Sequence, residues 1–183
     1  MMETGMRGGM RRAVVADASA IARIHVETWR AAYAGVLPDS YLVGMTRGKQ
    51  AAGWVRAIAS ERAGFLTLVM EEAGAGIVGF VSAGPVRKSG LPHDCGIKGE
   101  VCTLYVGSDW QGRGYGRALL QGALANLFEN DLGGVVVWVL EANPSRFFYE
   151  AMGGARLATR HEMFAGADVG EIGYVWHQTS WGG

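Results

Sequence analysis

The chain is 183 residues long, 49% apolar, with 17 basic and 17 acidic residues in balance. That length and composition predict one globular domain with a full core, and the scattered Lys and Arg exclude the basic stripe that nucleic acid binding requires. No segment approaches the roughly 20 uninterrupted apolar residues of a membrane span, and the two cysteines, Cys95 and Cys102, lack metal-site spacing, so a reduced cytoplasmic protein without a metal is expected.

Met1–Met10 has four methionines, three glycines and no apolar h-region. It reads as a loose tail, or as residues ahead of a later start at Met10, leaving residues 11–183 as the domain. Arg12–Ala16 suits an edge strand, and Asp17 an N-cap for a helix to about Ala34. On that helix Ile21, Ile24, Thr28 and Ala31 share the face expected to meet the core. His25, Trp29 and Tyr33 form a neighbouring stripe that could line a cleft. After Leu37-Pro38 come a helical turn over Asp39–Val43 and a helix from Gly48 to Ser60. Phe65–Met70 and Ile77–Ala83 are strands of an antiparallel hairpin, whereas Pro85–Lys98 is expected to be irregular and mobile.

Glu100–Val106 alternates as a strand. Gln111-Gly112-Arg113-Gly114-Tyr115-Gly116 comes next and leads into a helix of about Gly114–Asn130, whose apolar face carries Leu120, Leu124, Leu127 and Phe128. Glycines here let the backbone approach an anion, and the first free N–H groups of the helix point at it with the positive end of the dipole. Arg113 and Arg117 add charge. There is no Gly-Lys-Ser/Thr ending, and Arg117 stands where a dinucleotide fingerprint would place its third glycine.

Val135–Leu140 is continuously apolar, as a central strand reached by a helical crossover from a parallel neighbour should be. Asn143-Pro144 starts a short helix, Ser145–Met152, closed by Gly153-Gly154. Arg156–Met163 and Glu171–Trp176 are expected to form a last hairpin, and the tail Val175–Trp181 reads as an exchanged strand, a homodimer patch or a seal on the sheet edge.

Three stretches in this order resemble the GCN5-related N-acetyltransferase superfamily: Gln111-x-x-Gly114-x-Gly116, Asn143 to Glu150 with Gly153, and His25 to Leu42, the last similar to a bacterial subgroup in which Trp and Tyr face the acceptor. The resemblance implies an α/β (α+β) fold: one mixed, mostly antiparallel sheet of six to seven strands, a splayed parallel central pair and flanking helices. It implies acetyl-CoA as co-substrate. The pantetheine arm would lie along Leu104, Tyr105 and Val106, the amides of Gln111, Gly112, Arg113, Gly114, Tyr115, Gly116 and Arg117 would hold the pyrophosphate, and Asn143 would bind the arm or order its turn. Phe164–Asp168 departs from the Gly-Gly hairpin of relatives, which puts the register of the last strands in doubt.

A protonated amine cannot attack until it loses a proton, so a base is needed; Glu100 is the first choice, with Glu27 and His25 behind it. Tyr149 is implied as the acid toward the departing thiolate. Trp29 and Tyr33 would shape the acceptor pocket. Cys102 lacks a placed His partner and reads as core rather than as an acyl carrier. The acceptor class stays open across small-molecule amines, peptide N-termini and lysine. A non-catalytic acyl-CoA sensor and a nucleotide-binding regulator are the alternatives.

Overall fold

The structure is a computed structural model that describes residues 9–60, 62–87 and 90–180. The expectations for residues 1–8 and for Trp181 lie outside it. Seven strands form one sheet in the order β1-β2-β3-β4-β5-β7-β6: β1 Met10–Arg12, β2 Leu66–Glu72, β3 Gly76–Pro85, β4 Ile97–Val106, β5 Gly134–Leu140, β6 Ala155–Phe164 and β7 Ala167–His177. Among the described residues only the β4–β5 strand pair runs parallel, joined by helix α4 (Tyr115–Glu129). Helices α1 (Ala18–Ala32), α2 (Asp39–Gly44) and α3 (Arg47–Ala59) precede β2; α5 (Arg146–Ala151) follows β5.

The apolar stripe predicted on α4 is the centre of the main core. Leu120, Leu124, Leu127 and Phe128 are buried against β2, β3, β4, β5 and β7, among them Val81, Val101, Val137 and Ile172. On the other face Ile21 and Ile24 of α1 pack on Val69 and Phe80, as their spacing predicts. A fully buried Leu or Ile contributes about 1.5–3 kcal/mol by leaving water, so these two layers fix the sheet between its helices.

Four local expectations are corrected. The first strand ends at Arg12, because Val15–Asp17 turns as a 3₁₀ segment. Asp17 does not cap α1: it is helical itself, and its carboxylate turns back to accept from Arg11 at 2.7 and 3.0 Å and from the Val14 N–H at 2.8 Å. Pairing extends into the stretch expected to be irregular, since β3 reaches Pro85 and β4 begins at Ile97. The last hairpin is longer than expected and its turn is tight: Ala165 and Gly166, at φ 52° and 85°, join Phe164 to Ala167. Two successive left-handed residues twist in the sense that antiparallel strands require.

Two irregularities at the centre of the sheet decide which side chains reach its α1 face. Val101 lies opposite Ala83 and Thr103 opposite Ser82, so Cys102 is a surplus residue in β4. A bulge of this kind resets the alternation of side chains. Val101 and Leu104 therefore both meet the core under α4, while Glu100 and Tyr105 both face the α1 side. At the same point the parallel pair opens: its last register is Val101 with Val137, and neither Cys102–Val106 nor Trp138–Leu140 pairs across the gap.

Candidate active site

Two cavities meet at the opening between β4 and β5. The first, about 460 Å³, runs from the gap to the start of α4 and is lined by Leu104, Val106, Gly114, Arg117, Asn143 and Tyr149, among others. The second, about 500 Å³, lies on the α1 side between Trp29, Glu100, Trp138, Arg160, Phe164 and Glu171. Tyr33, Cys102, Tyr105 and Trp138 border both.

At the glycine loop the chain is arranged as an anion cradle. Gly112 and Gly114 sit at φ 73° and 86°, a conformation costly for residues with a Cβ, and a Cβ built on either meets no atom within 4 Å, so the space above is open. The Gln111 N–H is directed at Ser108 O at 3.3 Å, so the unengaged amides begin at Gly112 and continue into the first turn of α4. The Gln111 side chain instead donates to Val106 O at 3.1 Å, bracing the end of β4. Arg117 borders the first cavity; Arg113 lies over the Trp110 ring at 4.6 Å, and the Tyr115 hydroxyl donates to Glu72, so these two side chains turn away from it.

Asn143 does two things. Its Oδ1 accepts from Ser145 N at 2.9 Å, ordering the entry to α5, and its Nδ2 donates to the Tyr33 hydroxyl at 3.2 Å, tying one cavity to the other. Tyr149, on α5, is buried against Tyr174 and Trp176. No hydrogen bond from its hydroxyl is found among the described residues, and the residue borders the first cavity. Burial pushes this phenol well above its ordinary pKa, which keeps it protonated.

Glu100 is buried in the wall of the second cavity, where its carboxylate accepts from the Arg87 N–H at 2.9 Å and from the Arg87 guanidinium at 3.1 Å. Trp29 donates to the Tyr105 hydroxyl at 2.8 Å and packs edge-on against Tyr33, so the aromatic stripe of α1 is held as a wall. The two reserve bases are not in either cavity. His25 is enclosed by Tyr105, Trp29, Trp54 and Phe80, accepts from Trp54 Nε1 at 3.3 Å, and is pushed down to about 4 by burial. Glu27 lies outside, paired with Arg23 and Arg47.

Cys102 stands at the junction of the cavities rather than inside the core, and burial pushes its thiol up to about 12. A thiol this reluctant to ionise is a poor nucleophile. No cluster of three or more metal-ligating side chains occurs among the described residues.

The far wall of the second cavity was missed by sequence reasoning. Arg160 and Glu162 of β6 and Glu171 of β7 converge there with Phe164 and Trp138. Arg160, Glu162 and Phe164 alternate in the sequence, a period-2 signal for one strand face, but nothing in it said that this face looks into a cleft.

Residues 21–154 match the model of the acetyltransferase (GNAT) family. The chain belongs to that family. A relative among curated proteins, the uncharacterized N-acetyltransferase YuaI of Bacillus subtilis (strain 168), is 30% identical over 171 residues, covering 93% of this chain and 94% of its own. Among solved structures, a GCN5-related N-acetyltransferase from Rhodopseudomonas palustris superposes with a TM-score of 0.70 at 16% identity, over 97% of this chain and 99% of that one. The PaiA N-acetyltransferase of Thermoplasma acidophilum, in complex with coenzyme A, gives 0.64 at 18% identity, over 91% and 98%. The GNAT fold thus accounts for the mixed seven-stranded sheet and its parallel β4–β5 pair.

Proposed function

We propose that this GNAT protein transfers the acetyl group of acetyl-CoA to a primary amine by direct attack in a ternary complex, with Glu100 as general base and Tyr149 as general acid. The observation that carries the reading is the meeting of the two cavities at the open end of the β4–β5 pair. One holds the anion cradle and a free phenol, and the other a buried carboxylate framed by aromatic rings. A donor and an acceptor entering from opposite faces of the sheet would touch only there.

The residues fit the co-substrate. The amides of Gly112–Arg117 and the α4 N-terminus suit a diphosphate, and the unpaired edge of β4 from Cys102 to Val106 offers main-chain partners to an extended amide-bearing arm. Acetyl-CoA supplies an acyl group already activated as a thioester. A main-chain N–H of the Leu104–Tyr105 segment polarises its carbonyl, and a donor of this type contributes on the order of 10²–10³ in rate. Glu100 accepts the ammonium proton. Two of the roughly four acceptor positions of a carboxylate are engaged by Arg87, which leaves room for that proton without breaking the pair. Tyr149 donates a hydrogen bond or proton to the leaving sulfur.

A thiol-release assay with acetyl-CoA over a panel of primary amines tests this, alongside the thermal shift produced by acetyl-CoA alone. Turnover that Glu100→Gln and Tyr149→Phe depress supports the reading. Stabilisation by acetyl-CoA with every amine inert would make the protein an acyl-CoA sensor, and stronger stabilisation by ATP or NAD than by CoA a nucleotide-binding regulator.

A further inference from the structure

Two residues that line the second cavity each carry a buried donor without an acceptor: Arg160 Nη1 and Trp138 Nε1. They belong to one unit. The Arg160 guanidinium lies over the Trp138 ring at 4.0 Å, and both residues border the cavity. Buried N–H groups are almost always paired, so two orphans on one wall of a cleft need an explanation.

Resting on the acetyl-transfer reading above, we propose that the acceptor amine carries a carboxylate, which Arg160 Nη1 and Trp138 Nε1 receive while the amine lies toward Glu100.

Arg160 is fixed in place for this. Its Nε donates to Glu171 Oε2 at 2.7 Å, Glu162 stands 3.8 Å away, and the Arg160 side chain is only 13% exposed. With one edge of the guanidinium committed to Glu171, Nη1 is held rather than free to swing to solvent. From the loop side Gly90 covers the pair: a Cβ there would come within 2.9 Å of Arg160 Cδ and 3.4 Å of Trp138 Cζ2, at φ +147°. The donors are thus supported from behind and beside.

Charge selects the ligand. Around the cavity Arg87 is paired with Glu100 and Arg160 with Glu171, so the wall suits a molecule that brings both signs of charge. An ionised carboxylate is an oxygen ligand that a guanidinium and an indole N–H bind more strongly than a neutral carbonyl, charge-assisted bonds being roughly twice as strong as neutral ones. An acceptor with an ammonium at one end and a carboxylate at the other satisfies both the acidic Glu100 side and the donor pair.

The experiment compares matched triples with the intact protein and acetyl-CoA: an amino acid, its amide and the amine lacking the carboxyl carbon, for leucine, phenylalanine, β-alanine and γ-aminobutyrate. The expected kcat/KM for the acid exceeds that for the bare amine by roughly 10- to 100-fold in at least one triple, carried in KM. Trp138→Phe, which keeps the ring and removes only the N–H, lowers that preference severalfold; Arg160→Gln brings it near unity. Bare amine or amide used as well as the acid in every triple overturns the proposal while leaving acetyl transfer intact, and so does a preference that survives both substitutions. If no member is turned over and no acid raises the melting temperature of the CoA-bound protein, the proposal falls together with the reading beneath it.

Discussion

Glu100 grips Arg87 at two points, its main-chain N–H at 2.9 Å and its guanidinium at 3.1 Å, and so couples the proposed base to the loop that follows β3. Glu100→Gln keeps an oxygen that can accept from that N–H and removes the proton acceptor. Its kcat should fall by roughly 10²–10⁴ with a thermal midpoint within a few degrees of the parent. Steady-state kinetics beside a melting curve checks this; kcat within threefold of the parent across pH 6–9 would remove Glu100 from the mechanism.

Tyr149 borders the first cavity, and Tyr149→Phe deletes no internal hydrogen bond found among the described residues. Stability should hold or rise slightly, whereas kcat should drop by about 10²-fold. Because burial raises the phenol, it stays protonated through neutral and moderately alkaline pH. The wild-type rate should therefore show no alkaline fall below about pH 10 that Tyr149→Phe abolishes.

His25 gives the fold a pH dependence of its own. Its pKa is depressed to about 4 in the folded state, against about 6.5 unfolded, so between those values the unfolded chain binds the proton and the native one does not. Stability contributed by the neutral ring is full above pH 6.5 and is lost as pH falls toward 4, with a slope of at most about 1.4 kcal/mol per pH unit. Urea denaturation at pH 7, 6 and 5 should reveal that slope, and His25→Phe should flatten it.

Ala165 sits at φ 52° in the two-residue turn between β6 and β7, where a Cβ costs about 1–2 kcal/mol. Ala165→Gly relieves that cost and gives part of it back as unfolded-chain entropy, for a net gain of about 0.5–1 kcal/mol. Denaturant unfolding measures the gain. A loss would mean that the turn is not left-handed at both positions.

What could be read from the residues was whatever lives within one element or one loop. The glycine cradle, the apolar face of α4 and the Val135–Leu140 strand carry their own spacing, and each stands where that spacing put it. What escaped depends on partners distant in sequence. Asp17 has the chemistry of a cap, but Arg11 captures it; the surplus at Cys102 exists only relative to Ser82 and Ala83 of β3. Arg160 and Glu171 reach the second cavity because β7 inserts between β5 and β6, a strand order that no local pattern encodes.

That surplus residue separates position from chemistry. The thiol of Cys102 donates only weakly, to Glu100 O at 3.8 Å, so serine or alanine could stand in its place with little effect on the α1 face of the sheet. Losing the bulge is another matter. If Cys102 paired regularly opposite Ala83, Val101 would shift to Gly84 and Glu100 to Pro85, turning Glu100 beneath the sheet toward α4 and Val101 up into the second cavity. The orientation of Glu100 therefore hangs on an irregularity in the ladder two residues away, and not on which side chain fills it.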